Sequence, residues 1–495
     1  MRAILVLMDS LNRHFLPAYG NDWVIAPNIT RFCRRSVRFD RHHLGSAPCM
    51  PARRDMLTGR LNFLERGWGG VEPFDRCYPQ TLSDHGVFTH LVTDHYHYAS
   101  VGGENYLSLY DSWELIRGQE NDPWVSRVEP LPERPHLGRW SAAYAANSTR
   151  LTAEEAYATP RTFQSAIQWV RTNGRAEDWF LMVEAFDPHE PFDVPQGYLD
   201  LYGDDWDGPQ FTWPEVKPLD LSPEALRHIR RQYAACLTMT DRWFGRLLDE
   251  LEAQGCLQDT LIILTTDHGH MLGEHGLMVK NYQPVYDELA LIPLMVHLPG
   301  DAHAGEVRSQ LTQNIDLAPT LLEYFGLGWE HPIHGASLWP LLADPAAPGR
   351  PWALYGWFGR NVNISDGRFT YLRAANADNA PLYQHGCMAS THGRYWPREA
   401  FAEIEAGRYL PYTDMPVFRL PVHQPTTPLL AQSHLYDREV DPAQEVDLVG
   451  TAAEPPMRAL LERALREVGA PPEQFQRLGL GVPMDDATTP TEGGC

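Results

Sequence analysis

Ala3–Met8 is an unbroken apolar run that stops at Asp9. A run of this kind predicts a strand covered on both faces, as in the middle of a parallel sheet, with Asp9 delivered at its carboxyl end. In open α/β sheets, ligands bind along that edge. Further strands are predicted at Phe88–Thr93, at Trp179–Phe186, which runs into Asp187-Pro188-His189-Glu190-Pro191, and at Leu261–Thr265, which runs into Asp267-His268-Gly269. Between these runs the apolar period becomes helical. Pro27–Phe32 opens a short helix, and Pro48–Arg60 reads as a turn entering a helix whose first amides face an anion. Thr159-Pro160 reads as an N-cap and first-turn proline for a helix reaching about Thr172. Pro223–Gly255 spaces Leu226, Ile229, Tyr233, Leu237, Trp243, Leu247 and Leu251 for a long helix that ends at glycine. Strands alternating with helices predict an α/β fold, a large mainly parallel sheet sandwiched by helices.

Residues 192–222, rich in Pro, Gly, Asp and Trp, read as a surface insertion near the site. The texture changes after Leu342. Short strands are predicted at Trp352–Trp357, Arg368–Arg373 and from His434 to Asp437, a loop-rich stretch from Ala374 to Leu430, and a closing helix from Pro455 to Val468. The expected division is a catalytic α/β domain over 1–345, a smaller C-terminal α+β subdomain over 346–470, and a mobile tail over 471–495. No internal repeat is present.

Composition narrows the function classes. Net charge is −23, from 41 Lys+Arg against 64 Asp+Glu, which argues against nucleic acid and an anionic membrane surface as partners. An anionic substrate then needs a local pocket of a few Arg, Lys and His. The 7 cysteines are odd in number and scattered, without C-x-x-C spacing, so neither a disulfide framework nor a structural zinc site is expected. Met1–Asp9 is too short and too acidic at its end for a signal segment, and no later run is long enough for a membrane span, so a cytoplasmic protein is expected.

Individual residues acquire chemistry from their positions. Asp9 and Asp267 each follow a buried strand, where a carboxylate serves either as a turn acid or as a hard ligand for a divalent cation. His268 adds an imidazole. His189 is stiffened between two prolines, Lys280 lies in a Gly- and His-rich loop, and Cys49, read alone, is a small buried thiol beside a turn proline.

Cys49-Met50-Pro51-Ala52-Arg53 followed by Leu57-Thr58-Gly59-Arg60 resembles the maturation signature of the type I sulfatases of the alkaline phosphatase superfamily, in which this cysteine is oxidised to formylglycine. The other motifs arrive in family order: Met8-Asp9-Ser10, Asp187 to Pro191, Asp267-His268-Gly269 with Gly273-Glu274-His275-Gly276, then Lys280, Asp316-Leu317-Ala318-Pro319-Thr320 and Leu435-Tyr436-Asp437. The resemblance implies an alkaline phosphatase-like fold and a sulfuric ester hydrolase that cleaves a small-molecule or saccharide sulfate monoester to alcohol plus sulfate. It implies one divalent metal on Asp9, Cys49, Asp267 and His268, calcium first, with manganese or magnesium as alternatives. A hydrated aldehyde at residue 49 attacks sulfur with one hydroxyl and expels sulfate with the other. Arg53 is assigned to the nucleophile, through charge-assisted bonds to its oxygen. His189 is assigned to the sulfate or leaving-group oxygen and Lys280 to the transferred group, while His275 is at least as well read as structural. A formylglycine-generating maturation enzyme is an implied partner, and a homo-oligomer is allowed.

Two departures from the family pattern matter. Many members carry G-K-W-H after the strand equivalent to Phe88–Thr93, whereas this chain has Asp94-His95-Tyr96-His97. In an extended segment His95 and His97 share a side and can replace the Lys/His pair as substrate-binding residues titrating near neutrality; an ungapped match places Asp94 and Tyr96 there instead. Asp9-Ser10 with Asp267-His268 also matches choline-sulfatase-like and phosphonate monoester hydrolase-like branches. The alternatives are therefore a phosphonate monoester or phosphodiester hydrolase on the same fold, and an unmatured, non-catalytic binding homologue.

Overall fold

The computed structural model describes residues 1–213, 215, 217–329 and 331–481. Its centre is an eight-stranded sheet in the order Val307–Gln313, Val37–His43, Leu294–His297, Thr260–Thr265, Arg2–Met8, Trp179–Ala185, Phe88–Thr93, Ser112–Leu115. Every neighbouring pair is parallel except the two made by Leu294–His297. The expected mainly parallel sheet is present.

The first strand shows why its sequence is continuously apolar. Ile4, Val6 and Met8 pack on one face against Ile29, Phe32, Phe163, Val170, Tyr233, Leu237 and Phe244. Ala3, Leu5 and Leu7 pack on the other against Met50, Met56, Leu57, Leu82, Leu317 and Leu321. The first set comes from helices Pro27–Arg34, Ala158–Asn173 and Pro223–Ala253, the second from Cys49–Thr58, Tyr78–Asp84 and Leu317–Tyr324. Alternate side chains of one strand thus seed two cores, which is the two-faced sandwich.

Met8 lies opposite Ala185 and Leu7 opposite Thr265. The three central strands consequently end together, and Asp9, Asp187 and Asp267 leave the same sheet edge.

A smaller sheet runs His434–Asp437, Phe369–Arg373, Val362–Ser365, Ala353–Trp357, Ser46–Ala47. Its last strand belongs to the N-terminal part of the chain and lies directly upstream of Cys49. Asp55 ties the junction, accepting hydrogen bonds from the Ser46 hydroxyl (2.8 Å) and the Asn62 amide (3.0 Å). Gly45 is required there because a Cβ would stand 2.3 Å from the Asp55 Oδ2. The helix Cys49–Thr58, buried along all 10 residues, is clamped between the two sheets and ends at Gly59 in the left-handed region (φ 67°).

Several expectations are corrected. Thr159 is not an N-cap: the helix starts at Ala158, and the Thr159 hydroxyl instead bonds the Asp94 carboxylate at 3.0 Å. Within the loop-rich stretch 374–430, Tyr383–Gly386, Glu405–Gly407 and Val417–Pro421 form a three-stranded sheet. Residues 192–222 include helix Gln196–Asp200 and strand Gln210–Trp213, which pairs with His136–Gly138. The expected mobile tail over 471–495 is packed in its first part: Pro472–Arg477 is helical, with Phe475 and Leu478 buried in the C-terminal core. Residues 482–495 of that tail lie outside the described residues.

Candidate active site

Asp9, Cys49, Asp267 and His268 place one ligand atom each within 4.8 Å of one another, all buried. Asp9 and Asp267 reach this point from adjacent strand ends, and Cys49 from the first turn of its helix. The His268 Nδ1 lies 2.8 Å from the Gly269 carbonyl, which can only accept, so Nδ1 carries the proton. Nε2 is left with its lone pair, 3.4 Å from the Cys49 Sγ and 3.3 Å from an Asp267 oxygen. A histidine tied in this way is oriented as metal-binding histidines are. Burial lowers its pKa and keeps the ring neutral.

Arg53 sits one helical turn after Cys49, so its side chain returns to the same strand ends. Its guanidinium donates to the Asp9 Oδ2 at 2.8 Å, to the Asp267 Oδ2 at 2.6 Å, and to Glu184. It reaches Cys49 only at the backbone carbonyl, 3.1 Å away. The expected contact with the nucleophile's side chain is thus replaced by the binding of three carboxylates. Glu184 was not anticipated. Its signal in the sequence is one acid in the otherwise apolar strand Trp179–Ala185.

Across the cluster, the Lys280 Nζ donates to the Ser10 Oγ at 2.7 Å and lies 3.5 Å from Glu190 and 4.0 Å from Asp9. Burial opposes the Lys280 charge, but Glu190, Cys49 and Asp9 raise its pKa above the ordinary value. Ser10 is held at φ 60°, a strained conformation for a residue with a Cβ; its hydroxyl donates to Asp9 and its amide to Asp267. The His189 Nδ1 donates to the Glu190 carbonyl at 2.6 Å, with the Glu190 and Glu120 carboxylates at 3.3 and 3.8 Å. Burial pushes the Glu190 carboxyl up, yet the facing charges of His189, Lys280 and His270 bring it below the usual range. Ser10 and Glu190 stand inside motifs and were legible there. Glu120 had no local signal.

The segment after Phe88–Thr93 departs from expectation in conformation but not in address. Tyr96–Ala99 is a 3₁₀ turn, so strand alternation does not apply. The rings of His95 and His97 are nonetheless 5.2 Å apart, and the His95 Nδ1 is 3.9 Å from Asp9. Both His95 nitrogens are buried without a hydrogen-bond partner. Asp94 turns away, accepting from the Phe186 amide and the Thr159 hydroxyl, and Tyr96 donates to Glu120. Burial and then Arg53 lower the His95 pKa well below the ordinary value, and burial brings His97 to about 3. Their expected titration near neutrality is corrected: both rings are neutral there. Between about pH 6 and 9 the normalised rate profile of His97→Ala is therefore expected to superimpose on that of the parent; a limb missing in the variant overturns this. His275 stacks on Tyr286 at 3.9 Å and lies outside the cluster.

The charge balance bears on a metal. Asp9, Glu184, Glu190 and Asp267 face two permanent cations, Arg53 and Lys280, within one buried cluster. Ionised, that set keeps an excess of negative charge, expensive without a further cation. Two hard oxygen donors and one bare imidazole nitrogen suit a divalent ion.

A family model described as Sulfatase matches residues 2–327. The choline-sulfatase of Rhizobium meliloti (strain 1021) is 27% identical over 415 residues, covering 75% of this chain and 78% of that protein. The solved structure of BT4656 in complex with its substrate D-glucosamine-2-N,6-O-disulfate is similar with a TM-score of 0.67 at 18% identity, over 94% of this chain and 98% of the other. The phosphonate monoester hydrolase of Agrobacterium radiobacter is similar with a TM-score of 0.67 at 20% identity, over 95% of both chains. Among the described residues, no helix is long and apolar enough to cross a membrane.

Proposed function

The chain belongs to the sulfatase family, hydrolases of sulfuric esters, and from that premise we propose that Cys49, oxidised to formylglycine by a maturation enzyme, is its nucleophile. Asp9, Asp267, His268 and residue 49 would hold one divalent cation, calcium before manganese or magnesium. The observation that supports this reading is the convergence of those four side chains within 4.8 Å, beside Lys280. When bound, the cation lowers the pKa of a hydroxyl on residue 49 and draws charge from the sulfuryl oxygens.

The chain's own residues do the rest. One hydroxyl of the hydrated aldehyde attacks sulfur as the S–O bond to the alcohol breaks and the alcohol leaves; the other later gives up its proton as the aldehyde re-forms and the C–O bond from residue 49 to sulfate breaks. Burial and the Asp9 charge hold the Cys49 thiol well above its ordinary pKa, which disfavours thiolate chemistry by the unmodified cysteine. Lys280 donates to the transferred group. His189 serves the leaving oxygen as an acid when both ring nitrogens carry protons, giving up the one on Nε2 while Nδ1 stays bonded to the Glu190 carbonyl. Arg53 orients the two ligand carboxylates and the Cys49 carbonyl. His95 and His97 contact the anion as neutral rings.

The substrate is read as a small-molecule or saccharide sulfate ester, in line with the relatives' choline sulfate and glucosamine disulfate. Asp9-Ser10 with Asp267-His268, together with the phosphonate monoester hydrolase neighbour, favours phosphonate monoester or phosphodiester hydrolysis as the second reading. The deciding experiment is a panel of sulfate monoesters, phosphodiesters and phosphonate monoesters on enzyme whose residue 49 is shown by peptide mass to be formylglycine. Preference for a phosphorus ester selects the second reading, and an intact Cys49 in an inactive protein from a host that matures such cysteines selects a binding homologue. His189→Ala is expected to retain metal and lose most activity on poor leaving groups; equal loss on activated and unactivated esters rejects the acid assignment. Asp267→Asn is expected to lose the metal, and metal analysis at full occupancy rejects it as a ligand.

A further inference from the structure

Behind the two loops that carry His95 and His189 lies a buried hydrogen-bond unit that includes none of Asp9, Cys49, Asp267, His268 and Lys280. The Gln119 side-chain amide donates both to the Asp94 Oδ2 (3.3 Å) and to the Asp187 Oδ1 (3.2 Å). The Thr159 hydroxyl donates to the Asp94 Oδ2 (3.0 Å) and accepts from the Asp187 backbone amide (3.2 Å). The Asp94 Oδ1 accepts from the Phe186 amide at 2.7 Å, and the Phe186 carbonyl accepts in turn from the His189 amide at 3.0 Å. Asp94, Gln119, Thr159 and Asp187 are all buried. Four separate stretches of chain are thereby joined at one point, and the route from Asp94 to the His189 backbone is two hydrogen bonds long.

We propose that Asp94 is a positioning residue for the sulfatase reaction, which with Gln119, Thr159 and Asp187 holds one proton between two buried carboxylates and so fixes the His189 loop against the His95–His97 turn. This rests on the placement of His189 at the leaving group given under the proposed function. The groups facing the pair are the Cys236 thiol from the long helix, Asp193 with its Tyr144 partner (2.6 Å), Tyr157, Thr159 and Gln119, all neutral or acidic. Two carboxylates without a cation do not both ionise in such a site. In agreement, burial and then Asp187 push the Asp94 carboxyl up to about 8, and burial pushes Asp187 up to about 7. The shared proton keeps the pair at a single negative charge, which the donors of Gln119, Thr159 and Phe186 satisfy. Loss of that proton adds a second charge that only the weak Cys236 thiol is left to meet, so the loop loosens as pH rises.

The test uses full-length matured enzyme with an aryl and an alkyl sulfate ester. Asp94→Ala leaves the Phe186 amide without its acceptor and is expected to lower kcat about 10- to 100-fold with KM within about 3-fold, as for a displaced catalytic group. Asp94→Asn keeps the acceptor and mimics the protonated acid; it is expected to restore kcat to within about 3-fold. The parent's kcat is expected to fall above about pH 8 and the Asp94→Asn and Asp187→Asn profiles to stay flat there. Infrared spectra of the parent at neutral pH are expected to show a protonated carboxylic acid band that Asp94→Asn removes. Wild-type kcat in Asp94→Ala, or Asn variants whose pH profiles superimpose on the parent's, overturn the proposal. Should Asp94→Ala fail to fold, the Asn variants and the infrared band still decide. If the parent hydrolyses no sulfate ester, the functional reading fails separately, and absence of the band in the parent overturns the shared proton.

Discussion

Cys49→Ala is expected to abolish multiple turnover, by on the order of 10⁴- to 10⁶-fold, the scale of removing a nucleophile, with no loss of fold. The Cys49 side chain carries little structural weight: its polar contact is the 3.4 Å approach to His268, and the turn around it is held instead by Arg53 on the Cys49 carbonyl and by Asp55 on Ser46. Cys49→Ser separates attack from release. A serine hydroxyl can take the sulfuryl group, but it lacks the second hydroxyl whose deprotonation expels sulfate from formylglycine, so one equivalent of alcohol should be released per site and a sulfate ester should remain on residue 49. Mass analysis of the peptide after incubation with substrate reads that ester directly. Steady turnover by Cys49→Ala would reject residue 49 as the nucleophile.

The parts of the site that were legible in the sequence are those where a local rule already carried the chemistry. Asp9 and Asp267 end continuous apolar runs, and strand register alone brings such residues to one edge. Cys49, Arg53 and His189 stand inside dense motifs. What escaped was set by long-range packing. Glu120 joins His189 and Tyr96 from a stretch with no regular periodicity, at φ 40°, and nothing nearby in sequence announces it. A threonine before proline is often a cap, but the helix starts two residues earlier than that reading requires, which turns the Thr159 hydroxyl to Asp94 instead. The His95–His97 pair was found by residue type but placed by the wrong period, strand alternation in place of a 3₁₀ turn, and their depressed pKa values depend on burial that composition does not disclose. The smaller sheet borrows Ser46–Ala47 from the main domain, a parallel pairing more than 300 residues apart in sequence, so a boundary drawn from texture alone separates segments that share one sheet.

Arg53→Met is expected to be the most destabilising single change at the site, by about 3–5 kcal/mol, because it strips the cation from three buried carboxylates while leaving them buried. The pH dependence fixes the cause. In the parent, burial pushes Asp9 up, but the permanent cations, Arg53 first and then Lys280, outweigh it and hold the carboxyl well below the usual range; its stability contribution is present above the unfolded pKa of about 4 and is lost as pH falls. Glu184 is already raised by burial, with Arg53 the largest opposing influence. Without Arg53 its pKa rises further, so between the unfolded value and the new folded one the native state binds more protons than the unfolded chain, and stability falls as pH rises. The variant should thus lose more stability relative to the parent at pH 8 than at pH 5. Glu184→Gln in the Arg53→Met background removes one of the stranded charges and should recover part of the loss at pH 8 and little at pH 5, as read from urea unfolding midpoints. A loss independent of pH, with no recovery from Glu184→Gln, would mean that Arg53 matters for packing alone.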